Sequence, residues 1–360
     1  MVVDETAIET QEPAMSIIVL KLPEVKVTAG RPAQCPACQG EILQRWGGQL
    51  KRVRDPYLDE VLVYRYRCCG CRHTFRHYPS GVDQAQQTQR LRQLAGLCWV
   101  LGLSYRGVAA IFTVFCVGIS RMSAWRDAQE RAKQLLRKRI WKPVRILGLD
   151  GAYVLGWGEK RAVLVAVDLG EGLPVSIGYL DEADPQAVKR WLEPLVKRLG
   201  ISVIVTDDLM TYRTVADQLG LEHQVCQFHL RRWVGRTLHE LQDMLPEDQQ
   251  PVLEEIKQLI DALPAGGGKR LFELWKKVPV EKSGPNAPLT PTAKLRNLLI
   301  RLSEHWSTYR IFDWQPEVPW TNNGTERVIG RMKVRSRTVR GYKSKNGLLD
   351  GLMLAGSWVA

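Results

Sequence analysis

The chain contains no uninterrupted run of about 18 or more apolar residues, the length a helix needs to cross a bilayer. Its most apolar stretch, LAGLCWVLGLSYRGVAAIFTVFCVGIS, is broken by Tyr105, Arg106 and several glycines, and reads as packed short helices. The amino-terminal MVVDETAIETQEPAM has neither the basic start nor the apolar core of a signal peptide. Acidic residues are in deficit, with 38 Asp and Glu against 51 Lys and Arg and a formal charge of +13. These shortages disfavour a membrane-spanning or exported protein, and a cytoplasmic location is expected.

With 360 residues and 45% hydrophobic content, the sequence is long enough for two or three globular domains. The positive excess draws a polyanion, and its clustering points to nucleic acid before small metabolites. Four of the eight cysteines form CPAC (Cys35, Cys38) and CCGC (Cys68, Cys71). Four thiolates at paired C-x2-C spacing can close a tetrahedral Zn2+ site, which supplies folding energy to a segment too small to bury enough surface. Between the knuckles, EVLVYRYR alternates as a half-exposed strand with Arg65 and Arg67 on one side, so a zinc ribbon is expected. Cys69 is an alternative to Cys68 with poorer spacing, and a redox role for the C-x2-C pairs remains open. Cys98 and Cys116 lie in apolar helical surroundings and are expected in the core.

The pattern turns helical from Gln84 to Arg139, through QTQRLRQLAGLCWVLGL, SYRGVAAIFTVF and ISRMSAWRDAQERAKQLLRKR. Ser104 is a fair N-cap, Val117 and Gly118 make a turn, and Ser120 opens the next helix. This spacing suits a helix-turn-helix, with Arg121, Ser123, Arg126 and Trp125 as candidate DNA contacts. An ordinary helical linker bundle would look similar. After Pro143 come the strands RILGLD, RAVLVAVDL and LPVSIGYL, then the helix DPQAVKRWLEPLVKRLG and the strand ISVIVTD. Gly170 to Gly172 turn a hairpin, a helix near LMTYRTVADQLG and a short strand EHQVCQF follow, and amphipathic helices fill residues 230 to about 318.

Three acids stand out along this core. Asp150 and Asp207 each close an Ile, Leu and Val run that reads as a buried parallel strand, and such strands present ligand groups at their carboxyl ends. Glu326 falls in the first turn of a helix within TNNGTERVIGRMKVRSR. Three carboxylates are the hard oxygen donors that a pair of Mg2+ or Mn2+ ions, roughly 3.5 to 4 Å apart, requires for phosphoryl transfer. The bland alternatives are turn and cap roles: Asp168 also ends a strand-like run, and Glu326 could reach back to Asn323 in a capping box. Positions 326, 330, 333 and 337 share a helix face, which puts Lys333 and Arg337 beside Glu326. Between Asn322 and Lys345 the chain carries Arg327, Arg331, Lys333, Arg335, Arg337, Arg340, Lys343 and Lys345.

The order DGAYV, TDD, CQFH and TNNGTERxIxxxKxRxR resembles bacterial insertion-sequence transposases of the DDE class over roughly residues 145 to 355. The resemblance implies a multidomain α/β protein: a zinc ribbon, a helix-turn-helix region, and an RNase H-like mixed sheet flanked by helices with an α-helical insertion. It implies catalysis by Asp150, Asp207 and Glu326 holding Mg2+ or Mn2+, with Asp208 an alternative second acid. Structural Zn2+ would sit on Cys35, Cys38, Cys68 and Cys71. Arg121, Ser123, Arg126, Lys333, Arg337 and Arg331 become DNA-binding candidates, and element ends, target DNA and a homo-oligomer assembled on DNA become the expected partners. Cys226 and His229 match a C-x2-H pair seen in several such families; a buried or hydrogen-bonded role is favoured for them over zinc, with His223 and His239 nearby. The expected division is a lead-in at 1–30 with a possible strand in SIIVLKL, the ribbon at 31–80, the helix-turn-helix region at 84–140, core at 144–229, insertion at 230–318 and a closing helix with basic tail at 319–360. Trp306, Trp314 and Trp320 could stack on an unpaired base, although core packing is expected for at least two. A catalytically inactive DNA-binding regulator and a purely hydrolytic nuclease remain the competing readings.

Overall fold

The computed structural model describes residues 22–139, 143–156, 158–281, 288–339 and 341–357. SIIVLKL, apart from Leu22, and Arg340 lie outside the described residues. Contacts divide the chain into one unit reaching Arg131 and a second over Ala132–Ser357. The architecture is multidomain α/β, with a small antiparallel sheet, a larger mixed sheet and eleven α-helices among the described residues.

In the first unit, β1 (Leu43–Arg52), β2 (Glu60–Cys68) and β3 (Thr74–His77) form an antiparallel sheet in the order β1-β2-β3. Val61 and Val63 pack with Val25, Val53 and Val82, while Tyr66 and Cys68 pack from the other face with Cys35 and Leu43. The four cysteine sulfurs all lie within 4.8 Å of one another. Tetrahedral zinc with bonds of about 2.3 Å needs sulfurs about 3.8 Å apart. Cys35 to Cys71 is 3.7 Å and Cys38 to Cys68 is 3.5 Å, so the set could hold zinc without rearrangement. Backbone N–H donation from Cys71 pulls the Cys68 thiol down to about 7, making thiolate available near neutrality. Exposed Cys69 stands outside this cluster.

Three helices follow: α1 (Gln89–Val100), α2 (Tyr105–Val114) and α3 (Arg121–Arg139). Ser104 caps α2, its hydroxyl accepting from the Gly107 N–H, and Ser120 accepts from the Ser123 N–H at the start of α3. Asp55, in the loop between β1 and β2, accepts from Thr88, Arg90 and the Tyr57 N–H, fastening the small sheet to the start of α1. Cys116 departs from the expected core position. It is exposed at φ 60°, where the chain leaves α2 through a bond from the Val117 N–H to the Phe112 carbonyl. Cys98 is only partly buried.

The second unit is built on β4 (Ile146–Gly156), β5 (Glu159–Asp168), β6 (Leu173–Gly178), β7 (Val203–Thr206) and β8 (Glu222–Val225). Their order is β6-β5-β4-β7-β8; the β4, β5 and β6 pairings are antiparallel, and β7 runs parallel to both β4 and β8. Gly172, at φ 67°, completes the turn between β5 and β6. β4 does not stop at Asp150 as the sequence pattern suggests. Its antiparallel pairing with β5 continues to Gly156, whereas its parallel pairing with β7 ends at Gly148, so Asp150 stands mid-strand beside the place where β7 gives out.

One sheet face is covered by α4 (Pro185–Leu199) and α5 (Met210–Leu219). Asp184 caps α4 and Gly200 ends it at φ 73°. Val188, Leu192, Leu195 and Leu199 form its buried stripe. At roughly 1.5–3 kcal/mol for each such side chain, burial outweighs the ~3 kcal/mol that a proline inside a helix, here Pro194, typically costs. On the other face lie α10 (Asn323–Thr338), against β4 and β5, and α11 (Lys345–Ser357), against β6 and α10. A helical layer, α6 (Gln227–Gln242), α7 (Gln250–Ala262), α8 (Gly267–Lys277) and α9 (Pro291–Glu304), has its own core. Gly267 and Gly268 open α8 tight against Trp306, whose side chain a Cβ at either would meet, at 2.1 Å and 2.7 Å. Trp306 is buried, but Trp314 and Trp320 are exposed, so core packing holds for one of these tryptophans rather than two.

Purified full-length protein is expected to carry about one zinc per chain by metal analysis, falling close to zero in Cys35→Ser or Cys68→Ser, with the ribbon unfolding below the temperature of the second unit. Unchanged metal content in both variants would contradict the four-cysteine site.

Candidate functional site

Strand parity determines which side chains can meet. Successive β residues point to opposite faces. On β4, Leu147 and Leu149 join the core under α4 and α5, whereas a Cβ at Gly148 would meet Thr325 and Asn322 beside α10. Asp150 has the parity of Gly148. On β7, Val203 and Val205 belong to the cluster containing Ile146, Leu169, Ile311 and Val318, and Asp207 continues that parity. The parallel register pairs Gly148 with Val205. Asp150 and Asp207 each follow that pair by two residues, and the charge of Asp207 is felt at Asp150.

Glu326 reaches this place through the start of α10. The Asn322 side chain is buried; its Nδ2 donates to the Leu149 carbonyl at 2.8 Å, and its Oδ1 accepts from Thr325 Oγ1 at 2.6 Å. Its backbone N–H donates to Cys226 Sγ at 3.3 Å. Gly148 permits this approach, since a Cβ there would lie 2.0 Å from Thr325 Oγ1. Helix α10 is therefore fixed to the strand residue immediately before Asp150. Asn322 is the N-cap and makes no side-chain cap bond; instead of a capping box with Asn323, Glu326 Oε1 lies 3.6 Å from His229 Nε2.

The carboxyl groups sense one another. Burial first, then Glu182, Asp207 and Glu326, push the Asp150 carboxyl up to about 7, with His229 opposing. Burial also raises Asp207, against the Leu209 N–H and His229, and Asp208 adds to the rise. His229 is raised by Cys226 beside it, despite burial, and further by Glu326 and Asp207. Conversely, His229 and the Asn322 N–H hold Cys226 below its ordinary range although burial raises it. Cys226 is thus a buried hydrogen-bonded residue, and His223 is a buried partner of Thr206 Oγ1 at 2.8 Å. Carboxylate oxygens suit hard divalent cations. Among the described residues, however, only the four cysteines form a group of three or more donors all within 4.8 Å, so the acids are gathered more loosely.

Asp207, the expected second acid, and Asp208, its alternative, have different surroundings. Asp208 is buried between Arg213 and Arg301, and Arg213 also donates to the Tyr309 hydroxyl at 3.0 Å. This knot ties the end of β7 to α5, α9 and the turn that follows. Asp207 accepts from the Leu209 N–H at 3.3 Å and, among the described residues, makes no salt bridge to an arginine or lysine. Asp168 accepts from the Gly170 and Glu171 N–H groups in the β5–β6 turn.

Glu182 was not singled out by the sequence. It precedes α4, accepts from the Tyr212 hydroxyl at 2.6 Å, and packs so closely on Gly151 that a Cβ there would lie 2.3 Å from its carboxyl carbon. Its own carboxyl is raised, chiefly by burial. The usable signal was Gly151 directly after Asp150, a residue without a side chain next to a proposed ligand. Of the basic candidates, Arg121, Arg126, Lys333 and Arg337 are exposed. Ser123 bonds Ser120 in the α3 cap, and Arg331 donates to the Gly172 and Gly356 carbonyls at 3.3 and 2.9 Å.

A carboxyl whose pKa rises on folding contributes stability that is present below its unfolded pKa, near 4, and is lost as pH rises through the folded value, about 7 for Asp150. In buffer without added divalent cation, Asp150→Asn is expected to melt several degrees higher than the parent at about pH 8, with the difference vanishing near pH 4. A melting difference that does not change with pH would contradict this electrostatic account.

Comparison with known proteins bears on the same residues. Residues 184–349 match the family described as Transposase IS66 family, a span that contains Asp207, Cys226, His229, Glu326 and Lys333 and begins after Asp150 and Glu182. The chain is also 19% identical, over 327 residues covering 88% of it and 80% of the other protein, to the insertion element ISM1 uncharacterized 48.3 kDa protein of Methanobrevibacter smithii. The chain is thus similar to transposases of that family over residues 184–349, and to an insertion-element protein over most of its length.

Proposed function

We propose that this protein is a DDE transposase that binds the ends of a mobile DNA element and catalyses metal-dependent strand cleavage and strand transfer. The observation that carries the reading is that Asp207 and Glu326 both act on the Asp150 carboxyl, while Asn322 anchors the start of α10 to the carbonyl just before Asp150, in a chain similar to transposases. The strand order β6-β5-β4-β7-β8 supports an RNase H-like core. Within it, α6 to α9 form the insertion between the second and third acids. The ribbon and helices α1 to α3 serve as the DNA-end binding region, and the exposed cations of α10, Lys333 and Arg337, lie along the strand being cut.

The donor set fits hard divalent cations. Asp150, Asp207 and Glu326 would hold Mg2+ or Mn2+, which supplies charge stabilisation to the attacking and departing oxygens of a phosphodiester. Glu182 adds negative charge behind Asp150, and Tyr212 orients it. His229 faces Glu326 and keeps that carboxylate on the side of the aspartates. In the first reaction a water oxygen bonds to phosphorus and the 3′ oxygen leaves as a 3′-hydroxyl. In the second, that hydroxyl attacks a target phosphodiester and displaces another 3′ oxygen, with no bond to the protein. Asp208 belongs to the supporting knot and contacts no substrate.

Asp150→Ala, Asp207→Ala and Glu326→Gln are each expected to keep DNA binding within about threefold while strand cleavage falls by on the order of 10³ or more. Asp208→Asn should instead lower stability, on the order of 3 kcal/mol, because it breaks a buried ion-pair network. Gel assays of cleavage and of joining with a precleaved end, run beside thermal melts, check both. Cleavage without joining would identify a hydrolytic nuclease, no cleavage by the parent would favour a DNA-binding regulator, and robust cleavage by Glu326→Gln would contradict the assignment.

A further inference from the structure

One face of the ribbon sheet has the wrong composition for a protein interior and the wrong charge for an idle surface. Arg65 on β2 stands directly opposite Arg76 on β3 in the antiparallel register, and Arg67 follows on the same face opposite Thr74. Like charges directly across a strand pair destabilise the sheet. Among the described residues, no salt bridge to an acid is found for any of these three arginines, although Arg65 donates to Thr74 Oγ1 at 3.3 Å. Exposed and directly opposed, Arg65 and Arg76 weaken the strand pair in the absence of an anion.

The shape of the same face makes room for one. β1 has a register shift between Arg45 and Gly47, and Gly47, at φ 137°, is the residue opposite Arg65. The slot across from Arg65 therefore holds no side chain. Gly48 is equally constrained, since a Cβ there would lie 2.9 Å from the Tyr64 ring. The result is a shallow notch of about 190 Å³ between Trp46 and Gln49 on one side and Arg65 and Arg76 on the other. Trp46 is half exposed, and the Arg67 guanidinium lies 4.8 Å from its ring centroid, which holds the indole at the rim.

We infer that this notch is a docking site for the phosphodiester backbone of DNA, with Arg65 and Arg76 sharing a phosphate and Arg67 with Trp46 bounding the groove. Guanidinium groups present planar, paired donors to phosphate oxygens. An acidic protein segment would also satisfy the charge; DNA is favoured by the chain's +13 formal charge and its similarity to transposases. The inference rests on the DNA-binding part of the reading above and adds to it a specific surface outside the acidic site.

The test uses full-length zinc-loaded protein and a fluorescent 30-base-pair duplex of arbitrary sequence, with anisotropy titrations across a series of KCl concentrations. Each phosphate contact contributes about 0.9 to the slope of log K against log salt. The double variant R65Q/R76Q should lose roughly 1 from that slope and bind at least tenfold more weakly at low salt. R65K/R76K should recover the slope, because it restores the charge. Zinc content and melting temperature are measured on each variant, and if the glutamine pair loses zinc, Gln49→Glu reads the same notch from exposed β1 and should weaken binding. A parent that binds the duplex while R65Q/R76Q or Gln49→Glu binds with unchanged slope and affinity would overturn the docking site and leave the transposase reading standing. A parent that does not bind DNA at all would overturn both.

Discussion

The contact between the Asn322 side chain and the Leu149 carbonyl is the constraint on which the acidic site depends. It joins a helix to a strand 173 positions earlier in the chain, one residue before Asp150. A buried amide left without partners costs roughly 1–3 kcal/mol per unsatisfied group. Asn322 avoids that cost only in this position, where Leu149 accepts, Thr325 donates and Cys226 receives its backbone N–H. Gly148 completes the joint by leaving room for Thr325. The TNNGTE segment thus reads physically as an anchor, a close approach and a carboxylate delivered one turn further along.

Around that joint the charges fall into two kinds. Asp208, Arg213, Arg301 and Tyr309 form a network between sheet and helical layer in which two guanidinium groups hold one carboxylate. Asp150, Asp207, Glu182 and Glu326 form an unmatched group relieved in part by His229, and burial together with these neighbours raises Asp150 to about 7. Adjacent aspartates on one strand end therefore have different surroundings. The proposed mechanism requires this asymmetry, because a carboxylate already bonded to two arginines has little left to offer a cation.

Much of this was legible in the sequence. The hydrophobic runs gave the strands, Ser104 and Ser120 gave the helix starts, and the C-x2-C spacing anticipated a sulfur cluster of the right size. Other features depend on tertiary contacts that no local pattern encodes. β4 looked as though it ended at Asp150 because its buried run ends there, but pairing with β5 carries it on to Gly156. Glu182 lies in a loop of ordinary turn residues, and its contacts with Gly151 and the Tyr212 hydroxyl distinguish it from Asp181. Arg331 belongs to a basic run that suggests a solvent-facing cation, yet its guanidinium is held by two carbonyls. Cys116 sits in an apolar stretch but falls at the helix exit, where the backbone turns outward.

The central claim is that Asp150, Asp207 and Glu326 surround one divalent-cation site. Replacing Mg2+ with Fe2+ and generating hydroxyl radicals from ascorbate and peroxide cuts a polypeptide only near the bound iron, and the fragments can be mapped by mass spectrometry. The account predicts cuts clustered around residues 150, 207 and 326, all suppressed by excess Mg2+. Cuts near only one of these segments, or cuts that Mg2+ does not suppress, would contradict it.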